Sequence, residues 1–574
     1  MNRASQRPRS AGRWWLLFAV LLVSLTMLAG IRWMFEHPYA IHSDEAFYIN
    51  EAQIDLQAFH TGGLIQLARW MVHGDVSRPP AYRISVLPFT AMFGYHTVMV
   101  RIVTLALFVI SAWFTYLTTK RLSSPVAGAI AVLVFCLSPA ILQNSIFFST
   151  EGPLYLAVAG TFHFLSMYWS DRSEPPGNWI GLGLSIGLGA LSKTTFPSIA
   201  IPVLVFSAFT AWRYRGGISG LISLVKAGAL AFLVAAPWWL KNIRPALAYA
   251  IYNNKEWIRH SLGAPSFMML ARWLGAVLVS LLGPGISIVI CLVVIAHFQR
   301  AMVGKETLLK PVQRTALLAC ACASIPLVVL QLSGTNFLLR LISPVMIPLA
   351  IAVGVLSDTT GWVRYRIPMA AAGVFFFVQF LMLVFPVLFP NKHPEDNGSF
   401  NQYPWRIMIR FEQWDWKPLQ DISSSCSIVS PRISFVDKGR ALNGDIQYGW
   451  SNPTDVPRIS YLGNGRAFNG SQIQYSWLAQ GLAFPDVTWL WRYEDGPIDW
   501  QKVLNLAEQR DVVMTAPNYV GQVTDHQDLD NQHNTEFAER LGQDPRFQGP
   551  IRLEMGQLDP VEVDVFLKSS LACH

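Results

Sequence analysis

The chain has 574 residues, of which 52% are hydrophobic and 14% charged, whereas soluble globular proteins are roughly 25% charged. This composition excludes water as the solvent for most of the chain. Long apolar runs joined by short basic loops instead predict a membrane domain with one appended domain. The formal net charge is +8, but the Lys and Arg residues are dispersed among apolar segments, so no nucleic-acid partner is expected.

The first apolar run extends from Trp14 to about Phe35 and follows several arginines. A secretory signal peptide is the alternative, but the run is long for one and no A-x-A cleavage pattern follows, which favours a retained helix. Ten further spans are predicted, which makes about eleven transmembrane helices in a polytopic α-helical protein. They lie near Val98–Thr118, Val126–Leu142, Pro153–Trp169, Trp179–Leu191, Phe196–Trp212, Ile218–Leu240, Phe267–Phe298, Ala316–Leu332, Leu341–Leu356 and Ile367–Phe389.

The distribution of basic residues predicts the orientation of these spans, because Lys and Arg accumulate in cytoplasmic loops. With the N-terminus in the cytoplasm, every even-numbered crossing ends on basic residues, such as Lys120 and Arg121. The first outer loop, residues 36–97, and everything after Phe389 then lie outside. We therefore predict a membrane domain over residues 1–389 and an external domain over residues 390–574.

The first outer loop is predicted to be structured. Apolar residues recur at helical spacing over Asp44–Phe59 and again over Leu64–Met71, which is typical of interfacial amphipathic helices. Pro79 and Pro80 interrupt any helix, and Tyr82–Tyr95 is predicted to form a further juxtamembrane piece.

The last part of the chain has the composition of a small soluble α/β or α+β domain. Predicted strands and helices alternate here, with strands at Cys426–Val436, Asp486–Trp491, Asp511–Thr515 and Val561–Leu567 and helices near Trp500–Glu508 and Asn534–Leu541. Cys426 and Cys573 are the two cysteines of this region. In an oxidising compartment they could form a disulfide, and two buried thiols are the alternative.

Acidic residues stand at two helix starts on the predicted outer side. Asp44 and Glu45 follow the first span, and Glu151 begins an outer-to-inner helix. Capping of a helix N-terminus, where a carboxylate is favourable, is the structural interpretation of each. The functional interpretation is that these acids lie on one face of a membrane domain and act together in a site.

Cations mark the same side of the membrane. They are Arg78 and Arg83 beside the first loop, Lys193 in a short gap between two spans, and Arg340 at the start of the tenth span. An ionisable group at membrane depth is costly and usually faces a polar cavity, whereas snorkelling to lipid head groups is the alternative. The histidines of this side show no metal-ligand spacing, so no residue is assigned to a metal.

The order of these features resembles the GT-C superfamily of membrane glycosyltransferases, specifically the bacterial protein O-mannosyltransferase and aminoarabinose transferase branch, which is glycosyltransferase family 39-like. The resemblance covers about Trp14 to Phe389. The segments that carry it are His42-Ser43-Asp44-Glu45, Ser77-Arg78-Pro79-Pro80-Ala81-Tyr82, Val100-Arg101-Ile102, Ser149-Thr150-Glu151, Leu191-Ser192-Lys193 and Leu339-Arg340-Leu341-Ile342-Ser343-Pro344.

The resemblance implies a GT-C fold and a transferase of the inner membrane that acts on the periplasmic side. It implies that Asp44 is the catalytic acid, with Glu45 as its neighbour and Glu151 as a second acidic position. It also implies that Lys193 and Arg340 contact the lipid phosphate of the donor and that Arg78 is a loop cation. Ser77 stands where some relatives carry a metal-ligating Glu, so a divalent metal is left open as a cofactor.

The chemistry of such a transfer agrees with these residues. A sugar hydroxyl is a poor nucleophile, so a carboxylate, for which we choose Asp44, has to take its proton as it attacks the anomeric carbon. Cations have to stabilise the leaving polyprenyl phosphate, and Arg83 is a further candidate for this role. The expected partners are a polyprenyl-phosphate-linked sugar donor, a lipid, glycan or protein acceptor, and membrane lipids. The rival hypothesis is a transporter or flippase for a lipid-linked or anionic substrate.

Overall fold

A computed structural model describes most of the chain. The described residues are 9–37, 43–94, 96–170, 177–214, 218–255, 267–302, 309–333, 339–359, 366–388, 458–462, 470–479, 486–490, 498–517, 527–555 and 561–569. The chain divides into two compact units. The first unit comprises Met1–Glu36, Asp75–Phe89 and Val98–Arg406, and the second comprises His37–Gly74, Thr90–Thr97 and Ile407–His574.

Helices account for nearly all of the described chain up to Leu388. They are α1 Arg9–Glu36, α2 Ser43–His73, α3 Ala81–Phe93, α4 Thr97–Leu122, α5 Pro125–Cys136, α6 Pro139–Ser145, α7 Glu151–Ser170, α8 Asn178–Ala190, α9 Phe196–Tyr214, α10 Ile218–Lys255, α11 Phe267–Ala276, α12 Pro284–Met302, α13 Pro311–Ser333, α14 Leu339–Ile342, α15 Met346–Thr359 and α16 Arg366–Leu388. A π-helical turn, Val277–Leu282, follows α11, and a 3₁₀ turn, Ser343–Val345, joins α14 to α15.

All eleven predicted spans coincide with described helices, which confirms an integral membrane protein of the expected class. Seven helices of the described chain are long and apolar enough to cross a membrane, or nine if each of two bent pairs is one span. The two remaining predicted spans are α7 and α8. Helix α8 has only 13 residues and is too short to be counted. Helix α7 is less apolar, because it carries Glu151, Thr161 and His163, and most of it is buried within its unit.

Two spans that were predicted as continuous are broken, so the sequence prediction was wrong there. The predicted span Val126–Leu142 bends by 72° between α5 and α6, because Pro139 cannot donate a backbone hydrogen bond and Ser138 caps the new helix. The predicted span Phe267–Phe298 bends by 98° before α12. Gly283 adopts a φ of 80° at that bend, a conformation that favours glycine, and Pro284 follows it.

One side chain of α16 satisfies backbone groups at both breaks. Gln379 is buried, and its Nε2 donates to the carbonyl of Leu137 at 3.2 Å. Its Oε1 accepts the N–H of Gly285 at 3.1 Å. Ser138 also donates to the carbonyl of Leu281, so the two breaks are joined directly. Backbone groups freed inside a membrane need such partners, because lipid offers none.

We expect Gln379→Leu to lower the unfolding free energy by about 1–3 kcal/mol, because it leaves the Leu137 carbonyl and the Gly285 N–H buried without partners. Thermal unfolding of the purified protein in detergent measures this as a lower midpoint temperature. Val378→Leu is the matched control, since Val378 is exposed on the same helix. Equal midpoints for the two variants would contradict a structural role for the Gln379 bridge.

The first outer loop is helical, as the sequence predicted. Helix α2 consists of two helices that meet at Gly63, whose backbone is not helical, with a φ of 64°. Asp44 and Glu45 lie in its first turn. Helix α3 covers most of the predicted juxtamembrane piece.

The C-terminal part contains a five-stranded sheet in the order β2-β1-β3-β5-β4. The strands are β1 Arg458–Leu462, β2 Asp486–Trp489, β3 Val512–Thr515, β4 Phe547–Met555 and β5 Val561–Lys568, and the helices are α17 Gly470–Ala479, α18 Trp500–Glu508 and α19 Gln527–Gln543. Strand β1 pairs parallel to both β2 and β3, and β5 pairs antiparallel to β3 and β4. This is the expected small α/β domain.

The two faces of this sheet carry different helices. Leu462 and Val513 pack in one apolar cluster with Val503 of α18 and Phe537 of α19. Tyr461 points to the opposite face, because neighbouring strand residues alternate, and there it approaches α17 at Gly470.

The local predictions in this domain were mostly confirmed. Strands β2, β3 and β5 and helices α18 and α19 lie where the sequence placed them. Strands β1 and β4 and helix α17 were not predicted. The predicted strand at Cys426–Val436, and both Cys426 and Cys573, lie outside the described residues.

Candidate functional site

The first unit contains a buried ion pair between two of the predicted site residues. Lys193 Nζ lies 2.5 Å from Glu151 Oε1, and the two side chains are 16% and 2% exposed. Glu151 also interacts electrostatically with Arg340. One carboxylate therefore faces two cations in a place where an unpaired charge would be costly.

Local sequence sets the position of each partner. Glu151 is the first residue of α7, where the Thr150 hydroxyl donates to Glu151 Oε2 at 3.3 Å. Lys193 lies in the turn between α8 and α9, and the N–H of Phe196 closes that turn on the Lys193 carbonyl at 3.0 Å. The ion pair therefore joins the start of α7 to the α8–α9 turn.

A network of three polar side chains lies one helical turn beyond Glu151. The hydroxyls of Tyr155 and Ser343 are 2.6 Å apart, and Asn144 Nδ2 donates to the Tyr155 hydroxyl at 2.8 Å. Ser343 Oγ in turn donates to the carbonyl of Arg340 at 2.7 Å. The network connects α6, α7 and the 3₁₀ turn, and so fixes the backbone that carries Arg340. Sequence reasoning assigned no role to these three side chains. Tyr155 and Ser343 lie within predicted spans, and Asn144 lies just after one.

The loop that carries Arg78 is held by a buried acid that the sequence analysis also missed. Asp75 Oδ1 accepts hydrogen bonds from the N–H and the hydroxyl of Ser77 and from the N–H of Arg78, at 2.9, 2.7 and 3.0 Å. The Arg78 guanidinium donates to the Tyr249 hydroxyl of α10 at 2.7 Å and lies 4.9 Å from the centre of that ring. Arg78 is thus oriented by groups on either side of it.

This loop also contacts the turn that carries Lys193. The N–H of Ala81 donates to the carbonyl of Leu191 at 2.8 Å, and Trp238 Nε1 donates to the carbonyl of Asp75 at 3.3 Å. The structure therefore brings the backbones of Arg78 and Lys193 into one neighbourhood of the first unit.

Arg83 is fully buried, in contrast to Arg78. Its guanidinium carbon lies 5.9 Å from the centre of the Tyr82 ring, and that ring packs against Phe148 with centroids 5.9 Å apart. Arg83 is therefore enclosed by protein, which argues against a side chain that snorkels to lipid head groups.

Asp44 and Glu45 belong to the second unit. Asp44 is half-buried and Glu45 is completely buried in the first turn of α2. Acids in a first turn stabilise the helix through its dipole, so the structural interpretation of Asp44 stays open beside the catalytic one.

The described residues offer no ready metal site. Among them, no three His, Cys, Asp or Glu side chains lie together as ligands. Ser77, which stands where some relatives carry a metal-ligating Glu, uses its hydroxyl on Asp75.

Parts of the chain are similar in sequence to a known family and to known proteins. Residues 77–240 match the model of the dolichyl-phosphate-mannose-protein mannosyltransferase family. An undecaprenyl phosphate-α-4-amino-4-deoxy-L-arabinose arabinosyl transferase from Pseudomonas fluorescens is 27% identical over 158 residues, which cover 26% of this chain and 26% of that protein. The chain thus matches about a quarter of the length of this curated relative.

Solved structures extend the likeness over the whole chain. The crystal structure of ArnT from Cupriavidus metallidurans in the apo state has a TM-score of 0.58 and 11% sequence identity, and the match covers 97% of this chain and 98% of that one. The structure of the same protein bound to undecaprenyl phosphate has a TM-score of 0.57 and 12% identity, with 98% of this chain and 99% of that one covered. The chain therefore has the fold of the GT-C glycosyltransferases, and its resemblance to their protein O-mannosyltransferase and aminoarabinose transferase branch is confirmed.

Proposed function

We propose that this protein is an inverting glycosyltransferase that moves a sugar from a polyprenyl-phosphate donor to an acceptor hydroxyl on the outer face of the cytoplasmic membrane. The observation that carries the proposal is the buried Glu151 carboxylate, which pairs with the half-buried Lys193 and interacts electrostatically with the half-buried Arg340. The segment that matches the mannosyltransferase family model includes Glu151, Lys193 and Arg78. The relatives named above transfer sugars from dolichyl phosphate or undecaprenyl phosphate carriers.

The cations of the cluster are suited to a phosphate at membrane depth. Lys193 and Arg340 already offset one buried carboxylate, and both are half-buried. A phosphate that approaches them therefore finds cations that have already lost part of their hydration. Preorganised cations stabilise a leaving group more strongly in such a site than in water. Arg78 is held by Tyr249 and Asp75 and supplies a third positive charge from the adjoining loop.

Glu151 has a distinct role in this proposal. In the donor-free protein its carboxylate forms an ion pair with the Lys193 ammonium. This pair holds the lysine in place and prevents an uncompensated charge in the membrane. A donor phosphate competes for the same ammonium. Glu151 is therefore proposed as a positioning residue for Lys193.

The reaction is a direct displacement. The acceptor oxygen forms a bond to the anomeric carbon while the bond from that carbon to the phosphate oxygen breaks. The acceptor proton passes to the carboxylate of Asp44, and the electron pair of the broken bond leaves with the polyprenyl phosphate. A single displacement inverts the anomeric centre. Asp44 is half-buried. Its carboxyl group therefore keeps access to water, to which it can release the proton.

Transfer by the purified protein in vesicles tests the proposal. The donors are radiolabelled undecaprenyl phosphate-4-amino-4-deoxy-L-arabinose and polyprenyl-phosphate mannose, and an envelope extract from the host supplies lipid, glycan and protein acceptors. We expect labelled product of inverted anomeric configuration with at least one donor, and only when the extract is outside right-side-out vesicles. Movement of the labelled lipid across the vesicle without any transfer would overturn the proposal and favour a flippase.

A further inference from the structure

Helix α17 of the C-terminal domain packs along α2, the helix that carries Asp44, and both belong to the second unit. The first contact is made by Asn50, whose Nδ2 donates to the carbonyl of Ser471 at 3.1 Å. Asn50 is 1% exposed and lies less than two helical turns beyond Asp44. The start of α2 is therefore tied to the first turn of α17.

A second contact lies one turn along the same face of α17. The hydroxyls of Tyr475 and Thr97 are 3.0 Å apart, and both side chains are buried. Residues 471 and 475 are four apart on a helix, so they lie on the same face of α17. Because Asn50 and Thr97 lie near the two ends of the first outer loop, α17 holds that loop at both ends.

Helix α17 is itself fixed to the sheet by its opposite face. Ile473 is completely buried, and a side chain at Gly470 would lie 3.2 Å from the Tyr461 ring. Tyr461 stacks on Trp489 with ring planes 8° apart. The docking face of α17 is thus supported by a packed layer of the parallel sheet, as a positioned functional group requires.

We propose that the C-terminal domain is a positioning platform for Asp44. Asn50, Thr97 and Tyr475 are the positioning residues that dock the first outer loop, which contains α2, onto this domain. This inference rests on the proposed glycosyl transfer. It gives the domain a role in the turnover step, in place of acceptor recognition. A displacement of about 1 Å at a reacting group can lower a rate by about a hundredfold, so loss of a single docking contact is expected to affect turnover.

Steady-state kinetics of the full chain test the platform with a double-mutant cycle. Tyr475→Phe removes one hydroxyl of the pair, and Thr97→Val replaces the other with a methyl group of similar size. We expect each to lower kcat about tenfold, with the KM values for donor and acceptor unchanged, and the double variant to be no slower than either single one, since the same bond is lost. Asn50→Leu is expected to lower kcat in the same way. Thr535→Val, which removes a hydroxyl from α19 across the sheet, is the control that keeps wild-type kcat.

Three results would overturn the platform while leaving the proposed reaction intact. A raised acceptor KM with normal kcat would make this face an acceptor-binding surface. Wild-type kinetics in all three single variants would make the contacts purely structural, and kcat losses that multiply in the double variant would show that the two hydroxyls act separately. Absence of transfer by the wild-type protein would instead refute the reaction itself.

Discussion

Asp44→Asn is expected to lower kcat by about 10²–10⁴-fold, because an amide cannot take the proton of the attacking hydroxyl. The substitution keeps the size of the side chain and its ability to accept hydrogen bonds. If Asp44 only stabilises the start of α2, Asn costs no more than about 0.3–1 kcal/mol of helix-dipole interaction, and kcat stays close to wild type. Transfer rates at saturating donor and acceptor separate the two roles.

Two controls make this test specific. Glu36→Gln neutralises an exposed acid at the end of α1 and is expected to retain wild-type turnover. Asp44→Glu keeps the base on a longer side chain and is expected to retain measurable activity. Full activity in Asp44→Asn would remove Asp44 from the mechanism.

Lys193→Met is expected to weaken the binding of undecaprenyl phosphate about 10- to 100-fold, which corresponds to the 1.5–3 kcal/mol of a hydrogen bond to a charged group. The substitution also strands the buried Glu151 carboxylate, so we expect a lower unfolding temperature. Equilibrium titration of the detergent-solubilised protein with the lipid phosphate measures the affinity, and thermal unfolding measures the stability.

A second variant separates these two effects. Lys193→Met combined with Glu151→Gln removes both charges of the ion pair, so the unfolding temperature should return toward the wild-type value. The affinity should stay low, because the ammonium is still missing. Recovery of wild-type affinity in the double variant would mean that Lys193 serves only to neutralise Glu151.

The membrane class and most helices could be predicted from the sequence, because apolar runs and basic loops are local signals. The breaks inside two predicted spans could not be placed in this way. Ser138 and Gly283 are each followed by proline, which is a local sign of a bend, but Gln379 satisfies the breaks from more than 90 residues away. Hydropathy alone predicts a continuous helix at such bends, because the residues on both sides are apolar.

The site was partly predictable for the same reason. Glu151, Lys193 and Arg340 stand out as charges among apolar neighbours, and the structure brings these three together. Asp75 was hidden because an acid in a polar loop is unremarkable until it proves to be completely buried. The contact between Asn50 and Ser471 joins residues 421 positions apart, a separation at which no periodicity carries information.

In the proposed reaction the donor phosphate binds at Lys193 and Arg340. The most direct test is a polyprenyl phosphate with a photoreactive group beside its phosphate, which is cross-linked to the wild-type protein and mapped by peptide mass spectrometry. We expect label on the peptides that contain Lys193 or Arg340, with undecaprenyl phosphate as an effective competitor. Competable label that falls elsewhere and spares both peptides would contradict the claim.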